Sequence, residues 1–327
     1  MICIGIESTA HTFGVGIVGS DGKILADARS MYKPRKGGVI PGQAADYHAS
    51  VAANVLESAL GSAGLELKDV DMVAFARGPG LPPCLKVGAS LARYISLRYG
   101  KPLVGVNHPV AHIEIGRLTT SAKDPILLYL SGGNTQVVGY ADGLYRVFGE
   151  TEDIPVGNAF DVVARAAGLK MPGGPEIEKL GRKGKYVELP YVVKGMDLSF
   201  SGIAAEAVRR LEKGTSKEDI CYSLQEVCFS MLAEVSERAL AHTGKNELLL
   251  VGGVAANKRL QTMLRTMCRE RKANFYVVDP KYSGDNGTMI AWAGLLAYGS
   301  GERTKASEST INPNWRIDEV NIKWFKK

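Results

Sequence analysis

At 327 residues the chain is long enough for two domains or one large one. It is 45% hydrophobic with 38 glycines, which excludes a disordered chain and points to a well-cored globular protein rich in turns. Its 40 lysines and arginines exceed 34 acids by six, an excess compatible with nucleic acid but not demanding it. The five cysteines are odd in number and contain no CxxC pair, so they are expected as reduced thiols in a cytoplasmic protein. Met1 leads directly into an expected strand, so no signal peptide is expected, and no apolar run is long enough to span a membrane as a helix.

The first elements are a strand over 2–6, a polar turn from Glu7 to Thr12, a strand from Phe13 to Val18, an Asp21-Gly22 hairpin signal and a third strand from Ile24. The same order returns later. An apolar strand from Ile126 to Leu130 enters the turn Ser131-Gly132-Gly133-Asn134-Thr135; a strand follows over 136–140, then Asp142-Gly143, then Tyr145 to Phe148. Two three-strand units with hydroxyl-bearing turns predict an internal duplication. A second element also recurs. The strand 70–77 breaks at Gly78-Pro79-Gly80 before a helix over 85–99, and the strand 248–251 breaks at Gly252-Gly253 before a helix over about 257–271. Helices are expected at 44–60, 223–242 and 289–297, the last after the glycine turn that holds Asp285. Residues 168–202 read as irregular, with a basic patch at Arg182, Lys183 and Lys185. The tail 300–327 carries Trp315, Trp324 and Phe325, which are expected to dock on the body. The halves are expected as lobes of 1–125 and 126–327 around a central cleft.

Two local patterns carry chemistry. In the turn 131–135, glycines let the backbone approach a ligand while Ser131, Asn134 and Thr135 add polar groups, which suits a phosphate; Tyr129, two residues earlier on the strand, shares a face with Ser131. An ordinary hairpin turn is the plainer reading of that stretch alone. The second pattern is His108-Pro109-Val110-Ala111-His112. Histidines four apart on a helix face the same way and can hold one metal, and proline is tolerated in the first turn. Pro109 stands where a metalloprotease carries its glutamate. Asp285 is the attractive third ligand and Tyr129 a fourth, a set suited to iron(II) or zinc.

The motifs GIESTA (5–10), GPGLPPCLKVG (78–88), NHPVAHIEIGR (107–117), YLSGGNTQ (129–136), GETEDIPVGNAFD (149–161), GGPEIEKL (173–180), SFSGI (199–203), SLQEVCFSML (223–232), VGGVAANKRL (251–260) and GDNGTMIAW (284–292) occur in order along the chain. With them the chain resembles, almost end to end, the universal tRNA threonylcarbamoyl-adenosine synthase family, the catalytic subunit of the KEOPS complex in archaea and eukaryotes. The resemblance implies an α/β protein of the actin-like ATPase (ASKHA) fold with two duplicated lobes. It implies transfer of a threonylcarbamoyl group from threonylcarbamoyl-AMP to the exocyclic amine of an adenosine beside the tRNA anticodon. It implies metal ligands at His108, His112, Tyr129 and Asp285, and nucleotide contacts at Tyr129, Leu130, Ser131, Gly132, Gly133, Asp161, Gly174, Glu178 and Asn257. The implied ligands are one divalent metal, iron(II) before zinc, and the donor nucleotide or ATP/AMP. The implied partners are tRNA, a small protein-kinase-like subunit and the other KEOPS subunits.

Glu7, at the other polar turn, is a candidate general base or a structural residue. Lys33, Arg35, Lys36 and the patch near Lys183 are candidate tRNA contacts. Alanine at both His108 and His112 is expected to remove metal and leave the fold intact. The sequence departs from the family at Ile40, Gly42 and Tyr47, where histidine, arginine and histidine are usual, and at Pro82 in place of glycine. The rivals are a small-molecule kinase or a regulatory ATPase on the same scaffold, and neither requires the histidine pair.

Overall fold

The structure is a computed structural model and describes residues 1–33 and 39–325; Arg35 and Lys36 lie outside the described residues. Its elements, in chain order, begin with β1 (Ile2–Glu7), β2 (Thr12–Gly19), β3 (Ile24–Met31), α1 (Pro41–Ala63), β4 (Met72–Gly78), α2 (Pro82–Tyr99), β5 (Leu103–Asn107) and α3 (His108–Thr119). They continue with β6 (Ile126–Leu130), β7 (Thr135–Ala141), β8 (Leu144–Glu150), α4 (Val156–Ala166), α5 (Gly173–Gly181), the short pair β9 (Val193–Lys194) and β10 (Asp197–Leu198), α6 (Ser201–Glu212) and α7 (Lys217–Thr243). The last are β11 (Glu247–Val251), α8 (Lys258–Glu270), β12 (Asn274–Val277), α9 (Pro280–Ser283) and α10 (Gly287–Gly299). No helix among the described residues is long and apolar enough to cross a membrane. All five cysteines are buried and free.

The duplication read from the sequence is present in the sheets. The first runs β3-β2-β1-β4-β5 and the second β8-β7-β6-β11-β12. In each, the opening strand pairs antiparallel with the next (β1 with β2, β6 with β7) and parallel with a later one (β1 with β4, β6 with β11). The strands after the glycine turns then extend each sheet in parallel.

The chain forms two compact units: residues 1–119, 142–145 and 284–327 make the first, and 120–141 with 146–283 the second. This differs from the expected division at 125/126, because 284–327 joins the N-terminal residues. Its cause is visible in β1 and β2. Ile4, Ile6, Phe13, Val15 and Ile17 alternate along the strands and enter one core with Val55, Phe75, Ala92 and Ile95. The intervening Gly5, Gly14 and Gly16 leave the opposite face bare of side chains. There the backbone of α10 packs directly on the sheet: a Cβ on Gly5 would lie 2.2 Å from the Ala291 nitrogen, and one on Gly16 2.1 Å from the Thr288 nitrogen. The apolar helix 289–297 therefore belongs to the first sheet.

The second unit builds its core from β6, β11, α4, α7 and α8, including Leu128, Leu130, Phe160, Phe229, Leu250 and Leu264. The stretch 168–202 is less irregular than its composition suggests, since it contains α5 and the β9–β10 pair. Ile177 on α5 is fully buried in the same core, and a buried apolar residue among glycines was the available signal.

Candidate metal centre and nucleotide site

β5 delivers the chain to α3, which begins at His108 and has nine consecutive buried residues, His108 to Gly116. His108 and His112 are one turn apart on that helix, with ring centroids 4.7 Å apart. Asp285 reaches them from the turn before α10. Asn286 fixes that turn: its Oδ1 accepts from the Met289 N–H at 2.9 Å, and its Nδ2 donates to the Gly284 carbonyl at 2.8 Å. From β3, Arg29 donates to the Asp285 carbonyl at 3.2 Å.

Three ligand atoms meet in a small triangle. His112 Nε2 lies 3.2 Å from His108 Nε2 and 3.3 Å from Asp285 Oδ1, and His108 Nε2 lies 3.5 Å from the same oxygen. Ligands bound about 2.1 Å from one ion sit about 3.0 Å apart at right angles and about 3.4 Å apart at tetrahedral angles. The triangle therefore fits a single ion of borderline softness, held by two imidazoles and a carboxylate.

Behind His108 stands Glu7, fully buried. Its Oε2 lies 2.9 Å from His108 Nδ1. Its Oε1 accepts from the Thr9 N–H at 2.7 Å and from the Thr9 hydroxyl at 2.5 Å. Both carboxylate oxygens are thus engaged. A histidine that donates Nδ1–H to a carboxylate presents the Nε2 lone pair outward, the arrangement that orients metal-bound imidazoles. Burial by itself would lower the His108 pKa, but the Glu7 charge and hydrogen bond, with Asp285 adding to them, push it up to about 9. Burial and the neighbouring His108 lower that of His112. Burial would raise Asp285, yet the hydrogen bond with His112 and the charges of both imidazoles hold its carboxyl well below the usual carboxylate range.

In the second unit, β6 carries Tyr129 and Leu130, both buried, to the turn at Ser131. The turn is closed by its own serine. Ser131 Oγ accepts from the N–H groups of Asn134 at 2.9 Å and Gly133 at 3.2 Å, and the Ser131 N–H donates to the Asn134 carbonyl at 2.8 Å. A phosphate that reached those two donors would take the place of the serine hydroxyl. The N-terminus of α4 abuts the turn: a Cβ on Gly157 would lie 2.7 Å from the Ser131 carbonyl oxygen. Thr135 Oγ1 accepts from the Val156 N–H at 2.9 Å. Helix N-termini favour anions.

The family model described as tRNA N6-adenosine threonylcarbamoyltransferase (TsaD) matches residues 23–292. The chain belongs to that family. It is 54% identical to the tRNA N6-adenosine threonylcarbamoyltransferase of Thermofilum pendens, over 98% of this chain and 96% of that one. It is 53% identical to a probable bifunctional tRNA threonylcarbamoyladenosine biosynthesis protein of Methanocaldococcus jannaschii, where it spans 61% of the relative's length. Its fold is the actin-like ATPase fold, shared with the activator of 2-hydroxyisocaproyl-CoA dehydratase from Clostridium difficile at a TM-score of 0.55 and 16% identity, covering 94% of this chain and 97% of that one.

The remaining positions that the family resemblance implies lie together in the second unit. Asp161 on α4 accepts from the Gly173 N–H at 2.7 Å, which places it beside Gly174 at the start of α5. Glu178 on α5 accepts from the Lys258 N–H at 3.2 Å, next in the chain to Asn257. Asn257 caps α8 through the Leu260 N–H at 3.1 Å and donates from Nδ2 to Gln225 at 3.0 Å. Its side chain is therefore engaged on both sides, as the N-cap of α8 and as a donor to α7. Gln225, which donates in turn to the Ile177 carbonyl at 3.3 Å, lies in the family-like stretch 223–232, but by itself a glutamine inside an amphipathic helix pattern looks like solvated surface.

The open face of the glycine turn yields one expected result. A Cβ on Gly132 meets nothing within 4 Å, so Gly132→Val is compatible with the fold. The branched side chain stands where a phosphate would approach the backbone. Donor affinity, measured by calorimetry with AMP or a non-hydrolysable donor analogue, is expected to fall by about tenfold, the worth of one hydrogen bond to a charged group. Unchanged affinity would remove the turn from the donor site.

Proposed function

We propose that this chain transfers a threonylcarbamoyl group from threonylcarbamoyl-AMP to the exocyclic amine of an adenosine beside the tRNA anticodon, with His108, His112 and Asp285 as ligands of one divalent metal. The observation that carries the metal assignment is the triangle of ligand atoms with the buried Glu7 behind His108. Two imidazoles and a carboxylate suit iron(II), with zinc as the alternative. When bound, such an ion supplies Lewis acidity toward a donor oxygen.

Glu7 holds His108 in the tautomer that ligates, and Thr9 holds Glu7. With both oxygens engaged, Glu7 serves as an orienting residue in preference to the general base considered from the sequence. The turn 131–134 and the α4 N-terminus hold the donor phosphate and stabilise the charge on departing AMP. Asp161 and Glu178 accept from ribose hydroxyls, and Gly174 lets the backbone approach the nucleoside. tRNA is the acceptor and the KEOPS kinase-like subunit a working partner, in the cytoplasm. Incubating the metal-loaded protein with threonylcarbamoyl-AMP, partner subunits and unmodified tRNA, followed by mass spectrometry of nucleosides, tests the reading. The modified adenosine must appear, and phosphorylation of a small metabolite in its place would favour the kinase reading.

The His108–Glu7 pair also sets a pH dependence. The folded pKa of His108 is raised from 6.5 to about 9, so in the metal-free protein the pair's contribution is complete below pH 6.5 and is lost as pH rises through about 9. The Tm of metal-free protein is expected to fall across that window and to flatten in Glu7→Gln. A metal ion displaces the same proton, so affinity for it should climb with pH over the same range. Differential scanning calorimetry and equilibrium dialysis at stepped pH check both slopes. A flat wild-type profile would argue against the pair as drawn.

A further inference from the structure

α3 carries the candidate metal ligands on one face, and on another it carries a charge that those ligands do not explain. Glu114 is two residues beyond His112, about 200° further round the helix, and is only 2% exposed. A carboxylate so placed must be fully hydrogen-bonded. Its Oε2 accepts from Arg117 Nη1 at 2.9 Å, and its Oε1 accepts from the Tyr145 hydroxyl at 2.8 Å and from Trp324 Nε1 at 3.0 Å. The last donor comes from the C-terminal end of the described chain.

The same segment is held through three further residues. Phe325 lies under the Arg117 guanidinium, 4.2 Å from Cζ to the ring centroid. Ile322 is 2% exposed, and its N–H donates to the Gly143 carbonyl at 2.8 Å. Asn321 bridges Leu144 in antiparallel fashion. Residues 321–325 thus close over Glu114 and Arg117, and the turn at 142–145 contributes Tyr145 to the same carboxylate.

We infer that Glu114 is a positioning residue for the candidate metal centre, and that the C-terminal segment 321–325, through Trp324 and Phe325, is the strap that sets it. The inference rests on the metal assignment above. α3 is 12 residues long and is buried over His108 to Gly116, so packing fixes its path while directional contacts on its two faces refine its rotation about its own axis. On the ligand face these include Glu7 and Asp285; on the far side they are Tyr145 and Trp324, which reach Glu114 from outside the helix, while Arg117 lies on α3 itself and steadies the carboxylate within it. A helix with both sets turns its two Nε2 atoms toward the Asp285 oxygen, and a helix without the second set keeps its hydrophobic burial but loses that orientation.

The test uses the full chain. Trp324→Phe removes the indole N–H and keeps an aromatic ring, and a Trp324→Phe, Phe325→Leu pair removes the stacking as well. Cobalt(II) and zinc affinities are measured by competition with a chromophoric chelator, and the cobalt(II) visible spectrum reports ligand geometry. Metal-free Tm is measured in parallel. Outer partners of metal ligands typically change affinity by about 10–100-fold, and one step further out a loss of about fivefold for the single variant and about tenfold for the pair is expected, with a shifted cobalt(II) spectrum. Glu114→Gln keeps an acceptor for Trp324 and Tyr145 and should lie closer to wild type than Glu114→Ala. A lowered Tm with unchanged affinity and spectrum would overturn the inference, since that is what a merely structural tail produces. If wild-type protein binds neither ion in this assay, the metal assignment itself fails, which is a separate outcome. Should the double variant misfold, the single variant's spectrum decides.

Discussion

His112→Ala is expected to lose bound metal and to reduce transfer by about 10³-fold, the equivalent of roughly 4 kcal/mol of transition-state stabilisation. It removes one corner of the triangle and one partner of Asp285 but leaves the His108–Glu7 pair in place, with His108 still beside Asp285, so the metal-free protein should lose less Tm than in His108→Ala. His108→Ala is expected to lose the metal as well, with a second consequence. It strands Glu7, fully buried, with no imidazole beside Oε2. Removing one partner of a buried pair costs about 3–5 kcal/mol. The expectation from sequence that alanine at both histidines leaves the fold intact is therefore replaced by an asymmetric one: His108→Ala costs more stability than His112→Ala. Adding Glu7→Gln to His108→Ala should recover part of the lost stability without recovering metal. Elemental analysis, nucleoside mass spectrometry and calorimetry on the variants measure each part. Wild-type transfer by His112→Ala would sink the metal assignment, and equal Tm values for the two single variants would sink the stated role of Glu7.

The asymmetry was not legible in the sequence, and the reason is physical. The i, i+4 histidines announce themselves because both ligands lie on one helix, where spacing fixes geometry. Glu7 reaches His108 across 101 positions, and Asp285 reaches His112 across 173. No periodicity encodes such a pairing. Asp285 stands out on its glycine turn and the family resemblance repeats it, whereas both leave the role of Glu7 open. The duplicated strand order was readable because strand, polar turn, strand and Asp-Gly turn are all local signals. The Asp142-Gly143 turn is built as expected, with φ of 52° and 82° at the two residues. The ownership of α10 is readable in principle, since Phe13-Gly14-Val15-Gly16-Ile17 alternates apolar residues with glycine and so leaves one face of the strand bare. Glu114 was illegible, because a lone acid in an apolar helix looks the same whether solvated or clamped. Its clamp comes from Trp324, 210 residues away. The expected docking of the tail tryptophans holds, since the Trp324 indole binds Glu114 and the Trp315 ring lies under Arg77.

The glycine face of the first sheet gives the second large effect, and it contrasts one substitution at two positions. Gly61 lies within α1, where a Cβ meets nothing within 4 Å. Gly61→Ala restricts the unfolded chain and improves helix propensity, so it should stabilise by about 0.5–1 kcal/mol. Gly16→Ala adds the same methyl group between two backbones, 2.1 Å from the Thr288 nitrogen and 2.4 Å from the Gly287 carbonyl carbon. Those atoms belong to the first turn of a buried helix and cannot move aside as a flexible side chain would. Either α10 shifts off the sheet or β2 bends, at a cost of about 3 kcal/mol or more. Because Asp285 sits two residues before α10, a shift of that helix also carries the carboxylate away from His108 and His112. Gly16→Ala should therefore lower metal affinity in protein that remains folded at low temperature, whereas Gly61→Ala should leave it unchanged. Equal Tm changes at the two positions would mean that α10 is not seated on the glycine face, and a destabilised Gly16→Ala that still binds metal normally would mean that the Asp285 turn holds its place independently of the helix behind it.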